Sequence, residues 1–330
     1  MTERKVLSWA VSWREGERER KIVTSNEAGV AAYEKSTKSP KPLDPAAAAE
    51  TLKDVKRIFD QLGVVFFLAS GTCLGAIREN RFIPWDDEMD TACVIGLHGF
   101  TEEMVEGVID AFTENGYYPH VDRTTRSVGI SFVKSSIRVD WTCFRIIGDS
   151  VVQYPAVKTP LRLFTQPKEI DFIGEKFLVP NPPEEYLRIK YGPDWMTPKA
   201  AGFEKDVVQN IPDADILTRR GRIGQFLTKH IVPWRAGRFR VLDREGEPVH
   251  GAEVVVAGVG RSRTNKQGYA RFYVPDEYYY AVIVRYDGHE EVLYLEVLTP
   301  GGTYVYRPGP ETTSQEHYKA GVRAMALIRE

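Results

Sequence analysis

The sequence predicts an α+β protein in two parts: a small mixed sheet flanked by helices, then a C-terminal antiparallel β-sandwich. Three observations carry this. Between Asp44 and Ile146 a helical apolar period, a continuous apolar run and several strand-length segments alternate. From Ala236 to Pro310 the composition changes, with nine of the sixteen tyrosines and a single lysine, Lys266. There, short Val-, Tyr- and Phe-rich strands are separated by Gly and Pro turns, the pattern of a sandwich. With 42% hydrophobic and 27% charged residues over 330 positions, wholesale disorder is excluded.

Lys and Arg total 44 against 46 Asp and Glu, a net charge of -2, so there is no basic excess for duplex nucleic acid. No stretch approaches the ~20 apolar residues that cross a bilayer. The start lacks a secretory apolar core, so the expectation is a cytoplasmic protein without a transmembrane segment. Cys73, Cys93 and Cys143 have no CxxC spacing and read as buried hydrophobes. The six histidines show no ligand spacing, so carboxylates must hold any metal.

Taken in order, residues 1–43 read as an N-terminal extension. Within it Lys5–Trp13 and Arg20–Ser25 are expected to form a hairpin, and Ser36–Pro42 a linker. Asp44-Pro45 caps a helix with Leu52, Val55, Ile58, Phe59 and Leu62 on one face, closed by Gly63. Val64–Ala69 is a buried strand by its apolar run, and Leu74–Arg78 a short helix. A second strand is expected at Glu88–Ile95, and a helix after Thr101 buries Met104, Val105, Val108, Ile109 and Phe112. Further strands are expected at Tyr117–Val121, Val128–Val133 and Ile137–Ile146. Glu169–Pro198 reads as irregular apart from a helix near Glu184–Tyr191. Residues 44–235 form the first domain and 236–310 the sandwich, with a terminal helix over 311–330. Ile216–Leu242 carries seven basic residues and no acid, read as a solvated connector in preference to an anion-facing surface.

The chemistry concentrates in FFLASGTCLGAIRENRFIPWDDEMDTACVI, residues 66–95. On a strand, Glu88 and Asp90 share one face while Met89 points into the core. Adjacent carboxylates repel, a cost most readily offset by a divalent cation. Asp140, in the apolar setting Val139-Asp140-Trp141, completes a three-carboxylate site for Mg²⁺ or Mn²⁺ if its strand neighbours the first. Gly71-Thr72 offers backbone N–H groups at a helix start, where anions are favoured, and Arg78 is placed to meet a phosphate. Trp85, Trp141 and Tyr154 are aromatic candidates for holding a cationic group.

GTCLGAIRENRFIPWDDEMD closely resembles the signature of the LicD/fukutin family of phosphotransferases, and Val179–Leu187 with Lys190–Met196 resembles its closing segment. That resemblance, covering about Thr51 to Pro198, implies a nucleotidyltransferase fold. It also implies transfer of phosphocholine or a polyol or sugar phosphate from a CDP-type donor to a glycan hydroxyl. It makes Glu88, Asp90 and Asp140 catalytic and metal-binding, and Gly71, Thr72, Arg78 and Trp85 substrate-binding. Asp86 and Asp87 then orient the ligands. Glu88 departs from the more usual Asp. The loops at Tyr117–Arg126 and Val151–Thr165 are expected to shape the donor pocket, and Tyr278–Tyr280 to fill strand positions or stack on sugars. The location is then cytoplasmic, peripheral to a membrane where glycans are assembled, with the sandwich offering a pairing face for a second copy. The sandwich itself is similar to carboxypeptidase-regulatory-like and transthyretin-like modules, at Val241–Ala252 and Thr264–Phe272. Two alternatives stay open: a nucleotidyltransferase that attaches NMP, and a glycan-binding scaffold with a degenerate enzyme domain.

Overall fold

A computed structural model describes residues 19–22, 27–200, 203–209, 211–212, 223, 226, 236–308 and 327–329. The chain begins with β1 (Glu19–Ile22), α1 (Glu27–Lys38), α2 (Pro45–Gln61), β2 (Phe67–Leu68), α3 (Ser70–Glu79), β3 (Met89–Val94) and α4 (Met104–Glu114). Next come β4 (Tyr118–Arg123), β5 (Ser127–Lys134), β6 (Ile137–Phe144), β7 (Ser150–Gln153), β8 (Val157–Pro160) and α5 (Arg162–Thr165). The first part closes with β9 (Lys168–Phe172), β10 (Glu175–Val179), α6 (Pro183–Tyr191) and α7 (Phe203–Gln209). The main sheet has the order β1-β4-β5-β6-β3-β2 and is mixed: β3 and β6 run parallel, and the other pairs antiparallel.

One face of this sheet is covered by α2 and α4. The Asp44 carboxylate accepts from the Ala47 N–H at 2.8 Å and Pro45 opens the helix, as the cap signal requires. Leu52, Val55, Ile58 and Phe59 of α2 and Val105, Val108, Ile109 and Phe112 of α4 are buried at helical spacing. Phe112 stacks on Phe132 at 3.9 Å, and Phe59 meets Trp141 at 5.0 Å between ring centroids. Because side chains alternate along a strand, sinking Met89, Val139 and Trp141 into this core turns Asp90 and Asp140 to the opposite face.

Several expectations give way. The segment read as a linker is helical to Lys38, since the Ser36 and Thr37 hydroxyls bond back to the Tyr33 carbonyl within the helix. α1 is no loose extension: Tyr33 stacks on His120 at 4.0 Å, and a Cβ on Gly29 would fall 2.4 Å from the Tyr118 ring. Glu19–Ile22 pairs with β4; its expected partner, Lys5–Trp13, lies outside the described residues. The stretch read as irregular holds the β9–β10 hairpin, turned at Ile173-Gly174. Of the basic connector, Arg219, Arg220, Arg222, Lys229 and Arg235 also lie outside the described residues.

The second part comprises β11 (Gly237–Val241), β12 (Glu253–Val256), β13 (Gly260–Arg263), β14 (Tyr269–Phe272), β15 (Tyr278–Tyr286), β16 (His289–Leu298), β17 (Thr303–Tyr306) and β18 (Leu327–Arg329). These form two four-stranded sheets, β14-β11-β17-β18 and β13-β12-β15-β16, around a core that includes Phe239, Val254, Tyr280 and Tyr306. The expected antiparallel sandwich holds except that β11 and β17 run parallel. Leu327–Arg329 is a strand, not the end of a helix, and most of 311–330 lies outside the described residues.

The two parts share side chains. Arg126 is 4% exposed, places Nη2 2.7 Å from Asp276 Oδ1 and 3.0 Å from the Tyr280 hydroxyl, and lies 4.1 Å over the Tyr278 ring. Tyr278 and Tyr280 are therefore buried strand residues serving this contact, not a sugar platform. Val152 and Ala156, from the β7–β8 hairpin, belong to the sandwich core.

Candidate active site

Parallel pairing sets Asp90 of β3 opposite Asp140 of β6, one strand spacing (~4.8 Å) apart. The first turn of α3 holds Asp90 from both sides: the Gly71 N–H donates to Asp90 Oδ2 at 2.9 Å, and the Asp90 N–H donates to Thr72 Oγ1 at 2.8 Å. Gly71 is required by proximity, since a Cβ there would lie 2.5 Å from Asp86 Oδ2 and 3.3 Å from Asp90 Oδ2. Asp86, Asp90 and Asp140 thus converge. β3 begins at Met89, so Glu88 stands just ahead of the strand whose alternation was to place it.

Burial and mutual repulsion dominate the electrostatics. Burial, with Asp140 close by, pushes the Asp90 carboxyl up to about 7. Burial, with Asp90 and Asp87 adjoining, holds Asp86 well above the usual carboxylate range. Arg138 is the local counter-charge. Its guanidinium contacts Glu88, lies 3.4 Å from Asp87 Oδ2, and has Nε 3.7 Å from Asp140 Oδ1. Asp140 Oδ1 is nevertheless buried without a hydrogen bond.

An all-oxygen donor set with an orphaned buried carboxylate oxygen fits a hard divalent cation. Among the described residues no group of three carboxylate, imidazole or thiol side chains is arranged to hold a metal ion, and Arg138 stands beside Asp87, Glu88 and Asp140. Asp90 and Asp140, with Asp86 beside them, are the carboxylates best placed to hold Mg²⁺ or Mn²⁺. Glu88 is engaged by Arg138.

An open cavity of about 470 Å³ is lined by Arg78, Glu79, Arg81, Trp85, Met196 and Pro198, with none of the clustered carboxylates in its wall. Trp85, 39% exposed, joins its wall to Asp86, the next residue. The Arg78 guanidinium pairs with Glu79, Nε to Oε1 at 2.9 Å. Residues 63–182 match the family LicD/FKTN/FKRP, nucleotidyltransferase domain. The chain is 29% identical over 163 residues to ribitol-5-phosphate transferase FKTN of Homo sapiens, covering 46% of this chain and 34% of that protein. It is 32% identical over 162 residues to the Mus musculus protein of the same name, covering 46% and 32%. The chain thus spans about a third of the length of the curated relatives it matches.

The segment matched by that family model contains Gly71, Thr72, Arg78, Trp85, the acidic run and Asp140. Other residues expected around the site are engaged elsewhere or with one another. Residues 117–126 and 151–165 do not line the cavity; Asp122 and Arg126 bond Tyr279 and Asp276 of the sandwich, and Val152 and Ala156 enter its core. Trp85, Trp141 and Tyr154 form no cage, since Trp141 is buried in the helix-facing core and Tyr154 packs against Tyr279 and Tyr294. Gly71 and Thr72 turn their polar groups toward Asp90.

Sequence reasoning missed four residues here. Arg138 was readable, since it lies two positions from Asp140 on one strand. Tyr186 and Lys190 lie in the closing segment: the Tyr186 hydroxyl accepts from the Ser70 N–H at 3.1 Å, and Lys190 Nζ bonds the Tyr154 carbonyl. Burial lowers Lys190 to about 8 despite the opposing charge of Asp90. Gln153 gave no local signal.

Proposed function

We propose that this chain transfers a phosphorylated group, a polyol phosphate first among candidates, from a CDP-linked donor to a glycan hydroxyl. The carrying observation is the pairing of Asp90 with Asp140 beneath a turn that fixes one of them by two hydrogen bonds. The match to the LicD/FKTN/FKRP domain and the name borne by the FKTN relatives support the reading.

Phosphoryl transfer asks little covalent chemistry of a protein and much positioning and charge compensation. Asp90 and Asp140 would hold Mg²⁺ or Mn²⁺, with Asp86 beside them. Bound there, the cation supplies charge neutralisation at the donor diphosphate. Trp85 offers a face for the nucleotide base, and Arg81 and Arg78 line the same cavity. The acceptor oxygen forms a bond to the distal phosphorus as the bond from that phosphorus to the CMP oxygen breaks. The hydroxyl proton passes to a carboxylate of the cluster, for which Asp87, raised by burial and hydrogen-bonded by Arg138, is the candidate.

The test is CMP release from CDP-ribitol with Mn²⁺, with and without a glycan acceptor. Wild type should release CMP, and Asp90→Asn should fold normally and lose at least about 100-fold in turnover. An Asp90→Asn protein as active as wild type refutes the site. Pyrophosphate release from CTP in place of CMP assigns nucleotidyl transfer instead, and absence of metal-dependent nucleotide binding assigns a scaffold.

A further inference from the structure

The β7–β8 hairpin belongs to two structures at once. Its Val152 and Ala156 side chains are packed into the sandwich core, and the Tyr154 ring lies edge-on to Tyr294 at 4.9 Å. Between them Gln153, 1% exposed, points the other way, into the LicD-type domain. Its Oε1 accepts the Tyr186 hydroxyl proton at 3.0 Å, while its Nε2 donates to Thr159 Oγ1 at 2.6 Å. Tyr186 and Thr159 are both fully buried.

Thr159 accepts from the Gln153 amide N–H, so the carboxamide oxygen faces Tyr186 and accepts there. The tyrosine hydroxyl has one proton, committed to Gln153, and burial keeps it there by raising the phenol. What remains toward Ser70 is a lone pair, which the Ser70 N–H needs at 3.1 Å. Ser70 requires bracing, because it adopts φ 37 without being glycine. The next residue, Gly71, carries the N–H that holds Asp90.

We infer that Gln153 is a positioning residue: through Tyr186 it fixes the Ser70–Gly71 turn, and through that turn Asp90. The inference rests on the reading of Asp90 as part of the reacting centre, but its geometry does not. Gln153 reaches the site from a hairpin anchored in the sandwich, so the C-terminal part sets the geometry of the acidic turn and is no detachable accessory.

The test uses the full chain with Gln153→Met, Gln153→Glu, Tyr186→Phe and the Gln153→Met/Tyr186→Phe double variant. Hydrogen exchange of the Ser70–Thr72 amides is read beside the melting temperature, with kcat and KM for CDP-ribitol measured in parallel. Loss of one hydrogen bond corresponds to about three- to tenfold faster exchange at those amides. That increase is expected in Gln153→Met and Tyr186→Phe, beyond any change elsewhere in the chain. The double variant should be no faster than Tyr186→Phe, since the two act in series. Gln153→Glu keeps an acceptor oxygen toward Tyr186 and should restore slow exchange. Kinetically, kcat should fall in Gln153→Met with KM for CDP-ribitol unchanged. Wild-type exchange at Ser70–Thr72 in a folded Gln153→Met or Tyr186→Phe protein overturns the inference, as do additive effects in the double variant. If wild type shows no transfer at all, the proposed function fails while the exchange arm still decides the relay.

Discussion

Gly71→Ala is a sharp perturbation because the structure separates its effect on folding from its effect on the site. Gly71 lies in the first turn of α3 without a left-handed backbone, so alanine is conformationally acceptable there. Helix propensity favours alanine by about 0.5–1 kcal/mol. Against this, the new methyl falls 2.5 Å from Asp86 Oδ2, and an ordinary contact of 3.4 Å requires that carboxylate to retreat by about 0.9 Å (3.4 − 2.5). Overpacking of that kind costs about 1–3 kcal/mol. The net loss of stability is therefore about 2.5 kcal/mol at most, a shift of no more than roughly 5–10 °C in the melting point of a domain this size. The site has no such compensation, because Asp86 is displaced and the methyl also presses at 3.3 Å on Asp90 Oδ2. A displacement near 1 Å at a reacting centre costs about 100-fold in rate. Calorimetric melting and CMP release, measured on one preparation, read the two effects separately. An alanine variant that melts a few degrees early yet turns over like wild type would refute the placement of Asp86 and Asp90 at the centre.

Asp276→Asn leaves Arg126 buried without its carboxylate and should cost about 3–5 kcal/mol, seen as a lower denaturant midpoint. In the wild type, burial would raise Asp276, but Arg126, with hydrogen bonds from Arg126, Thr125 and Tyr280, brings it below its ordinary 3.8. A carboxyl lowered on folding stabilises at pH above its unfolded value, and that stability drains away as pH falls through the folded value. Acid titration of stability should therefore fall less steeply below about pH 4 in Asp276→Asn than in wild type. Trp85→Ala, at a half-exposed wall of the cavity, should change stability by no more than about 0.5 kcal/mol. If Trp85 carries the base, calorimetry should show CDP affinity weakened about tenfold, the worth of one stacked base; unchanged affinity would move the nucleotide elsewhere.

Where local chemistry decides structure, the sequence was transparent. The Asp44-Pro45 cap and the spacing of Leu52, Val55 and Phe59 place α2, and alternation around Asp90 and Asp140 places both acids on the face away from Trp141. Composition misled at Ser36-Thr37, whose hydroxyls satisfy themselves inside a helix, and at Glu169–Val179, where a hairpin hides in a Pro-bearing stretch. The strand expected over Val64–Ala69 shrinks to Phe67–Leu68, with the Val64 N–H spent on the Phe59 carbonyl at the end of α2. Gln153 and Arg126 owe their roles to partners 33 and 150 residues away along the chain, and no window of sequence contains such information.

The parallel pairing of β3 with β6 bears on the order of assembly. Asp90 and Asp140 are fifty positions apart (140 − 90), and parallel neighbours cannot be joined by a tight turn. Here the connection runs through α4 and the β4–β5 hairpin. Closing a loop of that length carries an entropic cost that grows as (3/2)RT ln n, about 3.5 kcal/mol for fifty residues. Local contacts in α2 and in the β5–β6 hairpin carry much less of that cost. The two repelling carboxylates are thus brought together by long-range closure. Until that long-range pairing forms, Asp90 and Asp140 are not neighbours, and any ligand that depends on both acids must await it.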